Sequence, residues 1–523
     1  MKNIILVFIV MFFASCGGGG GGGGAFFVTD SSTDDRKIVT YDKTTLADDE
    51  MSKYQWHRTN MNLDNINLSY LGYNSGTPII VQVADDGIDS NHEDLKGNIN
   101  LISSYNVSND SNDPSPDNLY IDSHGTAVAG IIAAVGYNNI GIKGISPSAQ
   151  LAGFTFSSSG NSFSMTLGDL DKAWLSGDNA NNIAVSNNSW GSCIDKEVDE
   201  ELILKSGSEL LRDTKGRIYV FAAGNGRTGD TNCPGAYSYP NSATSNASYL
   251  LNSQYSIAVA AVNSDNKVAY YSSPGSNILI SAYSGGLITD GITTTIPEGT
   301  GTMATWSEDT EGSYTNAFSG TSASAPIVSG SIALVLEACP NLTYRDVKYL
   351  LAKNATKIDI TNTSWITNNA GWSYSNDYGF GLINLEDMIN ECKTTYVNLP
   401  NLQTTSGTNN VFDPLSTATT TKTINIGTSL TVEWVGLTVT TNFDLPESLQ
   451  IKLISPNGTE SELLHFDNQF GSSTSSFLTS GFRFSSQAFL DEDSFGDWRI
   501  EITSNNGVGV GTINNLDLEI VGH

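Results

Sequence analysis

The sequence is poor in histidine, cysteine and positive charge. Of its 523 residues only 5 are His and 5 are Cys, and 25 Lys and Arg stand against 55 Asp and Glu. The formal net charge of −30 argues against nucleic acid as a partner and implies a soluble, self-repelling surface. It also makes basic polypeptide a plausible electrostatic partner, although an acidic surface is usually only a solvated one. No cysteine has a His partner at close spacing, so no zinc site is expected. Past the amino terminus no long apolar run suggests a membrane span. The length predicts two or three domains, enough for a sizeable core.

The amino terminus carries a different message. Lys2 precedes a continuous apolar run, Ile4 to Ala14, too short to span a membrane in the mature protein but right for a signal-peptide core. The run ends Phe13-Ala14-Ser15-Cys16, which resembles the lipobox of bacterial lipoproteins, with Phe13 where Leu is usual. That resemblance implies lipid on Cys16 and a protein anchored to a membrane of the bacterial cell envelope, periplasmic or outer. Residues 1–16 would be the lipoprotein signal and lipobox, and 17–48 a flexible tether opened by the glycine run Gly17 to Gly24. The alternative is a secreted protein cut near Ala14. Cys193, Cys233, Cys339 and Cys392 remain, an even number in an exported chain. Two disulfides are expected; three pairings are open, and Cys193–Cys233 with Cys339–Cys392 is the favoured one.

The chemistry is carried by five stretches. Asn316 to Glu337 reads NAFSGTSASAPIVSGSIALVLE, a short polar entry followed by small and apolar residues that predict a buried helix starting at about Ser322. Pro326 is expected in its first turn, where no backbone N–H is needed. A serine there could attack a carbonyl while its own N–H helps hold the oxyanion, although an ordinary Ser N-cap is the blander reading. Pro78 to Gly87 is an apolar strand ending on Asp85 and Asp86, and neighbouring strand residues point opposite ways, so only one is expected to face a given site. Asp122-Ser-His124-Gly-Thr-Ala-Val-Ala-Gly130 places one of the few histidines at the start of a helix of small residues. Imidazole is the usual proton carrier at neutral pH. Asn182 to Gly191 and Arg217 to Gly226 are two more apolar strands, ending in Ser189-Trp190-Gly191 and Gly224-Asn225-Gly226, and Asn225 can offer an amide N–H to an oxyanion.

Taken in order, Asp85, His124, Asn225 and Ser322 closely resemble the subtilisin-like serine proteases, over roughly residues 49 to 392. The resemblance implies a doubly wound α/β catalytic domain over 49–395 acting on protein or peptide substrates. Ser322 would be the nucleophile, His124 the general base and then acid, Asp85 the group that orients it, and Asn225 with the Ser322 N–H the oxyanion donors. Ser189, Trp190 and Gly191 would line the cleft and pair with extended peptide.

The double aspartate and Asn341-Leu-Thr-Tyr-Arg345-Asp346-Val-Lys look more like the kexin and furin branch. There Asp86 would contact a basic residue just before the scissile one. The branch also implies structural Ca2+, held by Asp49, Asp94 and Asn138 with the carbonyls of Val135, Ile140 and Ile142, oxygen donors that suit that ion. After Cys392 the composition turns to Thr, Asn and Ser with period-2 segments at 430–435, 449–454 and 498–502. Together with Ser455-Pro-Asn-Gly458, Phe495-Gly-Asp-Trp498 and Gly511 to Leu518 they resemble the P domain of kexin-like proteases. An all-β, jelly-roll-like sandwich is implied over 396–523.

The sequence departs from this pattern in three places. Relatives carry a domain-sized propeptide, whereas the resemblance here starts near Asp49, so an external folding chaperone is a possible partner. The acidic pocket of the branch is altered: Pro234 follows Cys233, Ala236 replaces a tyrosine, and Asp195 stands one place late. Residues 285 to 317 are expected to form a long Gly/Thr-rich loop. A serine endopeptidase, with a reduced preference for basic residues, is the leading reading. The alternatives are a catalytically weak lipoprotein that binds or adheres, and an esterase, the latter disfavoured by the lack of a Gly-x-Ser-x-Gly elbow.

Overall fold

Parallel strands that are covered on both faces are mostly apolar, and so are the strands of the α/β part of the chain, whose polar exceptions include Gln82, Ser186, Asn187 and Asn188, all buried and hydrogen-bonded. Seven of them, β1 (Ile80–Asp85), β2 (Tyr105–Asn106), β3 (Gln150–Thr155), β4 (Ile183–Asn188), β5 (Ile218–Ala222), β6 (Ser256–Val262) and β7 (Ile278–Tyr283), form one parallel sheet in the order β2-β3-β1-β4-β5-β6-β7. The order reverses at β1, which lies between β3 and β4. In such sheets ligands bind beyond the carboxyl ends of the strands at that switch.

The structure is a computed structural model that describes residues 49–63, 66, 78–158, 163–191, 198–228, 244–286, 291–300, 312–410, 413–415, 417–444, 448–465, 478–505 and 510–523. Cys16, Cys193, Asp195, Cys233, Pro234 and Ala236 lie outside the described residues, as do the signal and tether segments. All described residues belong to one compact unit, Thr40–His523.

Two helices pack side by side against the sheet, α1 (His124–Ala133) and α3 (Thr321–Ala338), with α2 (Val198–Leu210) between them in sequence. Helix α3 is, among the described residues, the one helix long and apolar enough to cross a membrane by length and composition, yet 83% of it is buried. It is the core helix expected from its small residues. Its start differs from expectation. The N-cap is Gly320, Thr321 is the first helical residue and Pro326 sits in the second turn. A proline there leaves the carbonyl of Ser322 without its intrahelical donor, and the Ser189 hydroxyl donates to that carbonyl at 3.0 Å.

Of the long loop expected at 285–317, residues 287–290 and 301–311 lie outside the described residues, and the described part holds two short strands. β8 (Ile292–Thr295) pairs antiparallel with β9 (Tyr314–Phe318). The hydroxyls of Thr294 and Thr295 bond the carbonyls of Ala127 and Thr126 in α1, at 2.6 and 2.8 Å. Threonines that looked like loop composition thus tie the histidine helix to the segment entering the serine helix.

After α4 (Tyr344–Lys353) and α5 (Leu385–Thr394), a disulfide joins Cys339 at the end of α3 to Cys392 in α5. A β-sandwich follows. One sheet has the order β10 (Gln403–Asn409), β17 (Thr512–Gly522), β12 (Val432–Thr441), β15 (Phe482–Ser486). The facing sheet has the order β11 (Thr420–Ile426), β16 (Gly496–Ser504), β13 (Leu449–Ile454), β14 (Glu460–Leu464). Leu449, Ile451 and Leu453 are buried and Gln450 and Lys452 only half-buried, the alternation of strands with one face on a core. This core is separate from that of the α/β layer.

Candidate active site

Three of the predicted residues stand at the carboxyl ends of neighbouring strands or at the helix starts beside them. Asp85 is the last residue of β1 and fully buried. The first residue of α1, His124, turns its ring so that Nδ1 lies 2.9 and 3.1 Å from the two Asp85 carboxylate oxygens. Its outer edge remains open, the side chain being 34% exposed. Phe318, the last residue of β9, packs edge-on against the ring with centroids 5.4 Å apart. Burial alone would lower the basicity of His124, but the charge and hydrogen bond of Asp85, followed by the charge of Asp86, outweigh it and raise its pKa above the usual 6.5.

Asp86 does not point away from this site. β1 ends at Asp85, so the strand alternation that would send its neighbour to the opposite face no longer applies. Both Asp86 oxygens receive amides from the start of α1, Oδ1 from Gly125 at 2.6 Å and Oδ2 from His124 at 3.1 Å. Burial, then the charge of Asp85, raises its pKa above the ordinary carboxylate range.

Ser322 is the second residue of α3, so its backbone N–H is one of the orphan donors of a helix start. Its hydroxyl donates to the carbonyl of Ser189 at 2.9 Å. With the Ser189 hydroxyl on the Ser322 carbonyl, the two serines are bound reciprocally. Trp190, just beyond β4, donates its indole N–H to the carbonyl of Ala84 at 2.8 Å and stacks on Trp174. Gly191 is exposed, with open space where a side chain would stand.

Asn225 lies beyond β5 and is aimed by a residue to which sequence reasoning gave no role. The N–H and hydroxyl of Thr321 both donate to its Oδ1, at 2.8 and 3.0 Å. With the oxygen so held, Nδ2 meets no acceptor among the described residues. Gly320 makes this fit possible: its φ is +87°, and a Cβ there would stand 3.2 Å from Asn225 Nδ2. The signal was present in the tripeptide Gly320-Thr321-Ser322, but only the serine had an evident chemistry.

The expected calcium ligands also gather. Asp49 and Asp94 are buried against the loop 135–142. Asp49 accepts from the amides of Tyr137 and Asn139 at 2.7 and 2.8 Å, and Asp94 from Asn138 Nδ2 and the Ile142 amide at 2.8 and 2.9 Å. No donor among the described residues reaches the carbonyls of Val135, Ile140 or Ile142. Burial, with added repulsion from Asp49 and Glu93, pushes Asp94 up to about 8, and burial raises Asp49 as well. Two buried carboxylates with oxygen neighbours and, among the described residues, no cation hydrogen-bonded to either fit a hard divalent cation, although the Lys143 charge acts on Asp49. Among the described residues no group of three or more His, Cys, Asp and Glu is placed for a metal, so the rest of any such shell must come from the amide and the carbonyls.

This fold, with its serine and histidine on adjacent helix starts, is that of a subtilase. Residues 76–381 match the Subtilase family and residues 432–520 the Proprotein convertase P-domain. The chain belongs to the subtilase family and carries a P domain. It is 31% identical over 484 residues to kexin of Saccharomyces cerevisiae, covering 88% of this chain and 54% of kexin. To the Aeromonas extracellular serine protease of Aeromonas sobria it is 32% identical over 498 residues, covering 82% and 78%. The solved structure of the Aeromonas sobria serine protease in complex with its chaperone superposes with a TM-score of 0.80 at 27% identity, over 91% of this chain and 95% of that one. The chain spans about half the length of the kexin and furin relatives that it matches.

Proposed function

We propose that this chain is a serine endopeptidase in which Ser322 attacks the peptide carbonyl, His124 carries the proton and Asp85 holds the imidazolium. The observation that carries the reading is the 2.9 Å bond from His124 Nδ1 to the buried Asp85, which turns the other ring nitrogen toward the open side. The Ser322 hydroxyl has first to rotate from the Ser189 carbonyl toward that nitrogen, giving up one neutral hydrogen bond worth about 1 kcal/mol. Oγ then adds to the carbonyl carbon as its proton passes to His124, and the oxyanion is held by Asn225 Nδ2 and the Ser322 N–H. His124 returns the proton to the departing amine. Water, deprotonated in turn by His124, releases the acyl group from Ser322.

For selectivity we favour Arg or Lys at the cleaved position, recognised by Asp195 and aided by the −30 net charge. Asp86 would meet a second basic residue just before the cleaved one, through the acceptor sites that the amides of His124 and Gly125 leave on its oxygens. Ser189, Trp190 and Gly191 would form the cleft edge on which extended substrate lies. Ca2+ held by Asp49, Asp94 and Asn138 with the carbonyls of Val135, Ile140 and Ile142 would neutralise two buried carboxylates and fix that loop. Lipid on Cys16 would tether the enzyme to the cell envelope, and a separate chaperone, as in the Aeromonas sobria complex, would assist folding.

The test is cleavage of a peptide library by the wild-type chain beside Ser322→Ala. Cuts after Arg and Lys that vanish in the variant, with Asp195→Asn losing the preference, are expected. A profile led by apolar residues would overturn the selectivity, and no cleavage under any folding condition would overturn the activity. The second reading, a catalytically weak binding lipoprotein, is favoured only by the Ser322 hydroxyl resting on Ser189.

A further inference from the structure

We infer that Asp86 is a positioning residue: its carboxylate seats the first turn of α1 on the end of β1 and so fixes the His124 ring against Asp85. This inference rests on the role of His124 proposed above. Three observations carry it. The first is connectivity, because residue 86 closes a ring of hydrogen bonds. Its own amide donates to Asp85 Oδ1 at 2.8 Å, its carboxylate takes the amides of His124 and Gly125, and the His124 ring returns to Asp85. The side chain of Ser123, the residue that precedes the helix, does not cap it, so Asp86 supplies from just beyond β1 what a local N-cap would supply.

The second observation is fit. A Cβ on Gly125 would lie 2.3 Å from the Gly87 carbonyl and 3.0 Å from both Asp85 Cβ and Asp86 Oδ1. The helix start can approach the β1 turn only because that side chain is missing, and the 2.6 Å bond from Gly125 to Asp86 is what the close approach provides. The third is burial. Asp86 is only 9% exposed, so its oxygens meet the helix amides away from bulk water, where such bonds hold a helix start most firmly.

The placement has an electrostatic consequence. Among the described residues the charged groups that act on the His124 ring are Asp85 and Asp86, at the end of β1, while Phe318 of β9 packs on it as an apolar neighbour. Removing the Asp86 charge therefore favours neutral imidazole and moves the acid limb of the pH profile downward. Shape and charge can be separated. Asp86→Asn keeps an acceptor for one of the two helix amides, sets its own amide nitrogen against the other and loses the charge, and Asp86→Ala loses both acceptors and the charge.

The test pairs kinetics with a titration that needs no turnover. With a substrate lacking a basic residue before the cleaved one, Asp86→Ala should lower kcat by about 10- to 100-fold with KM nearly unchanged, the scale expected when a catalytic group is misplaced. Asp86→Asn should recover part of kcat on the alkaline side, with the acid limb of kcat/KM at lower pH than in wild type. In the Ser322→Ala background, the His124 ring resonances, assigned with His124→Gln, should titrate at lower pH when Asp86→Asn is added. The inference is overturned if the His124 titration does not move, or if either variant raises KM only for substrates with a basic residue before the cleaved one. Should Asp86→Ala not fold, Asp86→Asn decides alone. A wild-type chain that cleaves nothing would sink the proposed function and still leave the ring titration to judge Asp86.

Discussion

The candidate catalytic cleft and the seam between the α/β layer and the sandwich both use asparagine and serine, half-buried at Asn225 and Ser322 and buried at Asn252, Asn368 and Ser485, and they differ in how fully those side chains are used. At the seam the amides are saturated. Asn252 donates to the carbonyls of Asn246 and Ser248 and accepts from Asn246 Nδ2 and from the amide and hydroxyl of Ser485 in the sandwich. Asn368 donates to the carbonyls of Ala488 and Leu490 and accepts the amides of Ala370 and Trp372. Arg345 forks onto Glu433 across the same seam, while Arg483 faces Glu201 at 2.9 Å as an ion pair whose Nε and Nη2 make no hydrogen bond among the described residues. In the cleft one half of Asn225 is fixed and the other half spare, and the Ser322 hydroxyl rests on a carbonyl that it can leave. Saturated asparagines hold the two layers in one register, and a donor held in place but left unused is what a reacting carbonyl requires.

The contrast predicts that cleft variants lose rate and keep stability, and that seam variants do the reverse. Ser322→Ala should show the largest effect, a fall in kcat on the order of 10⁶, the scale known for nucleophile removal in subtilisin. Its melting midpoint should stay unchanged, since only one neutral hydrogen bond is lost; rates and melting curves on one preparation check both. Next comes Asn225→Ala, expected to slow turnover by about 10²- to 10³-fold because one oxyanion donor remains. Wild-type activity in that variant would remove Asn225 from the oxyanion site.

Much of this comparison was legible in the sequence on one side and little on the other. The cleft announces itself because its groups follow strand ends or open helices, so Asp85, His124, Asn225 and Ser322 sit in short runs whose composition changes abruptly. Asp86 was misplaced because strand periodicity was carried one residue past the strand. Thr321 and the Ser189 hydroxyl were missed since their partners are far apart in sequence, at separations of 96 and 133. The β8–β9 hairpin was hidden by threonines that suit loop and strand alike. At the seam the motif around Arg345 was visible as a pattern, but its partner Glu433 is 88 residues away, and no local rule connects them. The sandwich strands were readable as alternation, and their order in the sheets was not.

The loop that holds Asp49 and Asp94 belongs with the seam in this scheme. Chelation with EDTA should lower the melting midpoint, by about 2.7 kcal/mol of stability if calcium had been present at 100 times its Kd. Asp94→Asn should melt lower and no longer respond to EDTA. An unchanged midpoint in protein shown to have lost its metal would contradict a stabilising site. The smallest effect is expected at the seam itself. Asn252→Ala leaves the Ser485 amide without its acceptor and should cost about 1–3 kcal/mol, seen as a lower melting midpoint with kcat/KM nearly unchanged below it. Loss of rate without loss of stability in that variant would break the distinction between the two regions.

The most direct measurement of the central claim is labelling by a fluorophosphonate probe, which reacts with a serine only when a neighbouring base and an oxyanion site activate it. The label should map to Ser322, disappear in Ser322→Ala and be strongly reduced in His124→Ala. A folded wild-type protein that takes up no label, or carries it on another serine, would contradict the account.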